Sequence, residues 1–79
     1  MTDSKFTEFV SIVKRLRQEC PWDREQTNDS IKANTIEEAY EVVEAIDNKD
    51  FNELKKELGD LLLHVIFHTQ IAEEQGYFN

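Results

Sequence analysis

Residues 35–64 read TIEEAYEVVEAIDNKDFNELKKELGDLLLH, and the spacing of apolar and acidic side chains in this stretch decides the fold. Ile36, Ala39, Tyr40, Val43 and Ile46 recur at three- and four-residue steps, which puts them on one side of an α-helix. Thr35 followed by Glu38 has the capping-box spacing, so the pattern predicts a helix over 35–47. Asp47-Asn48-Lys49-Asp50 has turn composition. Asp50 is placed to cap a further helix whose first turn carries Glu53, where the positive end of the helix dipole favours a carboxylate. That helix should run to Glu74. Its middle, Leu61 to Phe67, is apolar on nearly every side except at His64, a pattern expected of a helix covered by more neighbours than two short helices provide.

Upstream, Phe6, Phe9, Val10, Val13 and Leu16 form another helical stripe, predicting a helix over 4–19. It should stop at Cys20-Pro21, because the residue before a proline is pushed out of the helical region. Between Pro21 and Asn34 the apolar pattern weakens while Asp, Asn, Thr and Ser accumulate, which reads as a loop holding at most one short helical turn. The expected fold is all-α, with antiparallel helices forming a four-helix-bundle-like core completed by dimerisation. No repeat, low-complexity tract or Pro/Gly-rich linker divides the chain, so residues 1–79 read as a single domain.

A chain of 79 residues buries only about 60% of its unfolded surface, and its thin core makes a homo-oligomer, dimer or tetramer, the expected state. Nine basic against 17 acidic side chains give a net charge of −8, which disfavours nucleic-acid polymers as partners. Small phosphorylated ligands stay open, because a divalent cation inverts the local field where carboxylates converge. No apolar run is long enough to span a bilayer, and no basic start leads into a signal core. The lone cysteine, Cys20, can form no internal disulfide, so a cytoplasmic location without membrane contact is expected. No His or Asn partner is placed for its thiol, and it receives no catalytic role.

The chemistry lies in the acids. Glu38 and Glu41 on one helix and Glu57 and Asp60 on the next are each three apart, hence on one side of their helices. A short connection makes the helices antiparallel neighbours, so the two pairs can face one groove. Close like charges repel by on the order of 1 kcal/mol per pair near water and more when partly buried, and a hard divalent cation offsets this. Oxygen-only ligands select Mg²⁺, Mn²⁺ or Ca²⁺ over zinc. The commonest alternative is a solvated acidic face, with Glu38 serving only as the capping partner of Thr35. Against it, the pairs flank core positions and do not alternate with lysines. Gly59 also sits inside a helix, where it costs about 1 kcal/mol relative to Ala; close approach of another backbone or a ligand would explain it. His64 and His68 are four apart, but two ligands are too few for zinc and neither has a Glu three residues before it, so both read as packing or supporting residues.

Three segments together carry a resemblance: Cys20-Pro21-Trp22-Asp23-Arg24-Glu25-Gln26-Thr27, Glu37-Glu38-Ala39-Tyr40-Glu41 and Glu57-Leu58-Gly59-Asp60-Leu61-Leu62. The chain resembles MazG-type nucleoside triphosphate pyrophosphohydrolases over nearly its whole length. The family signature, Glu-x-x-Glu, a spacer, then Glu-x-x-Asp, is matched by Glu38, Glu41, Glu57 and Asp60 with fifteen residues between the halves. The resemblance implies bundles assembled from two or more subunits, Mg²⁺ (with Mn²⁺ as a substitute) between the acidic motifs, and hydrolysis of a nucleoside triphosphate to monophosphate and pyrophosphate. It makes the four acids metal ligands, Glu38 and Glu41 catalytic through that metal, and the adjacent Glu37 a further metal contact or water-positioning group. Trp22 either stacks on a base or anchors its loop to the core; Arg24 suits a phosphate. Lys14, Arg15 and Arg17 read as solvated. Longer members continue into a helix bearing basic residues, whereas this sequence stops at Gly76-Tyr77-Phe78-Asn79, so either a minimal version or the first domain of a longer protein, cut short at its C-terminus, is expected. The competing readings are a non-catalytic helical dimerisation module that keeps the metal-binding scaffold and, less well, a cation buffer, since the acids do not form a twelve-residue Ca²⁺ loop.

Overall fold

The computed structural model describes residues 2–79, with side chains from Ser4 onward. Four helices follow one another: α1 (Thr2–Glu19), α2 (Pro21–Glu25), α3 (Asn28–Asp47) and α4 (Phe51–Glu74). The fold is all-α, with no strand among the described residues. α4 is central, packing against α3 in an antiparallel hairpin and against α1 on another side. The core is small, with Val13 of α1 and Ile31 of α3 meeting Ile66, Phe67 and Ile71 of α4, and Phe9, Val10 and Leu63 packed around them.

Three sequence expectations need correction. The helix placed at 35–47 begins at Asn28, and its cap is Thr27 instead of Thr35. Ser30 N–H donates to Thr27 Oγ1 at 3.0 Å while Thr27 N–H donates to Ser30 Oγ at 2.8 Å, a reciprocal pair that satisfies two otherwise unpaired amides. The polar run 28–34 hid this turn, because Ile31 is its sole large apolar residue. Most of the presumed loop is therefore helical; Pro21 starts α2, the short turn anticipated, as an N1 proline readily does.

The second correction concerns which side of α3 is buried. Ile36, Tyr40, Val43 and Ile46 are 73%, 66%, 52% and 52% exposed. α3 instead buries Ile31 and Ala45, with Glu38, Glu41 and Val42 half-buried on the same side. A helix with one packed neighbour can bury one stripe only, and here that stripe carries the acids while the apolar residues face outward.

Arg17, expected in solvent, is buried at 7% exposure. Its Nε and Nη2 donate to the Glu74 carboxylate at 3.0–3.1 Å. Nη1 donates to the carbonyls of Asp23 and Gln26, and the guanidinium lies 6.0 Å from the Phe67 ring centroid. One side chain thus ties α1 to α2, to the α2–α3 junction and to the end of α4, with its charge paired and both Nη1 donors used. Gly59 has no heavy atom within 4 Å of where a Cβ would stand. No backbone of this chain approaches it; it borders an apolar surface hollow with Phe6, Phe9 and Leu62.

The α3–α4 turn sets the register of the hairpin. Asp50 N–H donates to Ala45 O at 3.0 Å and Lys49 N–H to Ile46 O at 3.1 Å, the Schellman pattern. Asp50 then caps α4 as expected, accepting from Glu53 N–H at 3.1 Å. The left-handed position of this motif is held by Lys49, φ 54°, where glycine is usual. At the end of α4 the equivalent position is Gly76, φ 77°. Lys49→Gly should therefore raise the unfolding free energy by about 0.5–1 kcal/mol, the relief of left-handed strain exceeding the added chain entropy; urea denaturation followed by circular dichroism measures it, and an unchanged or lowered midpoint contradicts the turn geometry.

Candidate metal centre

The register set by the 48–50 turn brings Glu38 and Glu41 of α3 opposite Glu57 of α4. One carboxylate oxygen from each lies within 4.8 Å of the other two. Glu57 is 6% exposed, and Glu38 and Glu41 are half-buried. The Glu57 carboxyl is pushed up to about 8, mainly by a hydrogen bond with the Glu38 carboxyl that requires a proton, and further by burial and by Glu53 and Glu41. Glu38 Oε1 is buried without a hydrogen-bond partner, a costly state for an anionic oxygen.

These features fit a divalent cation. Oxygens around Mg²⁺ or Ca²⁺ stand about 2.0–2.6 Å from the metal, so ligand oxygens separate by up to roughly twice that, which spans the spacing found. Such an ion would partner the orphan oxygen and replace the proton that Glu57 otherwise retains. Glu38, Glu41 and Glu57 can hold it, and among the described residues no sulfur or nitrogen ligand joins them that would favour zinc. Asp60 is half-buried on α4, one turn beyond Glu57, and does not belong to the converging triplet. Glu37 is exposed on α3.

Leu16, Trp22, Ile31, Asn34, His64 and Phe67 border a cleft of about 120 Å³. Asn34 precedes Glu38 by one helical turn, so this cleft adjoins the acids. Trp22 is 58% exposed and forms one wall. Arg24 is exposed and donates from Nη1 to the Gln18 carbonyl at 3.3 Å. A polar chain runs behind the cleft between α3 and α4. Asn28 Nδ2 lies 2.9 Å from His68 Nδ1 and 3.1 Å from the His68 carbonyl; Thr35 Oγ1 lies 2.8 Å from His68 Nε2 and 2.9 Å from His64 Nδ1. Burial, and then the nearby His64, push His68 below the ordinary imidazole range. Asn28 and Asn34 were not singled out from sequence, and Thr35 only as a helix cap; the detectable signal was the hairpin register, which sets Thr35 opposite His64 and His68.

Fold and site together define an all-helical protein whose facing acids could bind a divalent metal. Residues 26–79 match the MazG nucleotide pyrophosphohydrolase domain, and the chain belongs to that family. It is 55% identical over 92% of its length to the nucleoside triphosphate pyrophosphohydrolase/pyrophosphatase MazG of Thermotoga maritima. It is 49% identical over 90% of its length to the nucleoside triphosphate pyrophosphohydrolase of Escherichia coli K12, and 50% identical over 94% to the uncharacterized protein YabN of Bacillus subtilis. The chain spans 29%, 28% and 16% of those relatives, respectively.

The raised Glu57 fixes a pH dependence. Because the folded state binds this proton more tightly than the unfolded chain, stability contributed by protonated Glu57 is complete below the ordinary value of 4.5 and is lost as pH rises toward about 8. His68, shifted downward, acts with the opposite sign, so the comparison must isolate Glu57. In EDTA, the melting temperature of Glu57→Gln relative to wild type should climb steadily between pH 5 and pH 8; parallel melting curves across that range would contradict the buried carboxyl cluster.

Proposed function

We propose that this chain carries out Mg²⁺-dependent hydrolysis of nucleoside triphosphates to nucleoside monophosphate and pyrophosphate, with Mn²⁺ able to substitute. The observation that carries the reading is the meeting of Glu38, Glu41 and Glu57, one with an orphaned buried oxygen, in a member of a family described by pyrophosphohydrolase activity. The names of the Thermotoga maritima and Escherichia coli relatives support it.

Glu38, Glu41 and Glu57 would hold the ion, with Asp60, one turn along α4, as a fourth ligand. When bound, the cation neutralises phosphate charge and polarises the phosphorus under attack. The chain's own contribution is to bind and orient. A carboxylate of the Glu38/Glu41 pair takes a proton from the water whose oxygen bonds to the α-phosphorus, and the α–β anhydride bond breaks to release pyrophosphate. Glu37, exposed at the rim, positions that water. Trp22 stacks on the base across the cleft, and Arg24 leaves the Gln18 carbonyl for a phosphate.

The outward face of Ile36, Tyr40, Val43 and Ile46 and the uncovered Gly59 hollow support a homo-oligomer in which a second copy completes a four-helix bundle around the site. Residues 1–79 act as one domain in it. Among the described residues no helix is long and apolar enough to cross a membrane, and we place the protein in the cytoplasm.

Pyrophosphate release from a panel of nucleoside triphosphates tests the activity. With Mg²⁺ at least one should be turned over, and EDTA should abolish release. Glu41→Gln should lower kcat/KM by at least the roughly 10–100-fold seen for residues that only support metal ligands. Metal binding without release from any nucleotide would leave the chain a non-catalytic helical module and defeat the proposal.

A further inference from the structure

The polar chain behind the cleft has a direction that hydrogen-bond chemistry fixes. The His68 carbonyl can only accept, so the Asn28 atom facing it at 3.1 Å is the amide nitrogen. The second proton of that nitrogen then points to His68 Nδ1 at 2.9 Å, which must carry a lone pair. His68 is consequently the neutral Nε2–H tautomer and donates to Thr35 Oγ1 at 2.8 Å.

Thr35 has one hydroxyl proton and two places to send it, the Ile31 carbonyl at 3.2 Å or His64 Nδ1 at 2.9 Å. Sent to Ile31, it leaves the hydroxyl accepting from His64 Nδ1–H, and His64 Nε2 is then an acceptor. Sent to His64 Nδ1, it makes Nε2–H a donor. Nε2 makes no hydrogen bond among the described residues, and His64 belongs to the wall of the cleft shared with Trp22 and Asn34.

The geometry points to His64 as the residue that contacts the edge of the nucleobase in this cleft, with Thr35 as a positioning residue whose hydroxyl rotation lets His64 meet either an amino or a carbonyl group. The ligand class is a purine or pyrimidine ring lying against Trp22, and the consequence is tolerance at the exocyclic position that distinguishes adenine from hypoxanthine and cytosine from uracil. This rests on the nucleotide reading above, but concerns binding and needs no turnover.

Trp22 is the only tryptophan, so quenching of its fluorescence by nucleoside monophosphates reports ring stacking directly. On the full chain, AMP against IMP and CMP against UMP should bind wild type within about threefold of each other. In Thr35→Val, Nδ1 has no partner in either tautomer, and because an orphaned N–H is less favourable than an orphaned lone pair, Nε2 stays a donor, so the amino-bearing member of each pair should weaken about tenfold relative to its carbonyl partner, the scale of a mismatched buried hydrogen bond. An unchanged ratio, or no quenching by any of the four, overturns the inference. Wild type supplies a second test free of any folding defect. Ring-nitrogen NMR shifts of His64 should report the Nδ1–H tautomer with AMP and the Nε2–H tautomer with IMP, and one tautomer in both complexes overturns the switch. Shifted base ratios without pyrophosphate release from any triphosphate would defeat the proposed activity and leave this inference standing; release with unshifted ratios would do the reverse.

Discussion

The forced proximity of like charges in the α3–α4 hairpin is the constraint from which the rest follows. A tight turn at 48–50 fixes the register, and that register sets two half-buried carboxylates of α3 against a buried one of α4. Such an arrangement is unfavourable unless a proton or a cation is shared. The chain alone adopts the first solution, with Glu57 holding its proton near neutral pH and one oxygen of Glu38 left unpaired. The second solution exchanges that proton for an ion, which couples metal affinity to pH because the ligands must ionise to bind. The cost of gathering the acids is what a hard cation held by these oxygens would offset.

The surrounding structure holds that hairpin and shapes what lies beside it. Arg17 spends its guanidinium on Glu74 and on two carbonyls around α2, fixing the segment that carries Trp22 against the body of the protein. Asn28, Thr35 and His68 fill the α3–α4 seam with paired polar groups, where apolar side chains would have given no orientation to His64. The apolar stripe of α3 is displaced to the outside as a consequence. This division, acids and hydrogen bonds inside the hairpin and hydrophobic residues outside it, leaves an apolar face on α3 exposed.

Sequence patterning made some of this legible and hid the rest for identifiable reasons. Periodicity at Phe9, Val10 and Val13 located α1, and the apolar run from Leu61 to Phe67 behind the Asp50 cap located α4, because each of those signals acts within a few residues. Glu38, Glu41 and Glu57 were visible as acids on facing helices. The start of α3 was hidden by its polar first turns, where Thr27 and Ser30 cap a helix that shows little hydrophobic pattern. The orientation of α3 was misread because a hydrophobic stripe indicates a face to be covered without saying which chain covers it. Arg17 was taken for a solvated cation because its partner Glu74 lies 57 residues away, and Thr35 resembled a cap for want of its two histidines. Resemblance to known nucleotide pyrophosphohydrolases added the chemistry that spacing alone left open.

Diffraction from crystals soaked in Mn²⁺, with data collected at the manganese absorption edge, would locate the ion and so test the central claim most directly. The account predicts one dominant anomalous peak between α3 and α4, in bonding contact with Glu38, Glu41 and Glu57, with the Asp60 side chain turned toward it. Peaks only beside exposed acids such as Glu37 or Glu44, with none in contact with Glu38, Glu41 and Glu57, would contradict it.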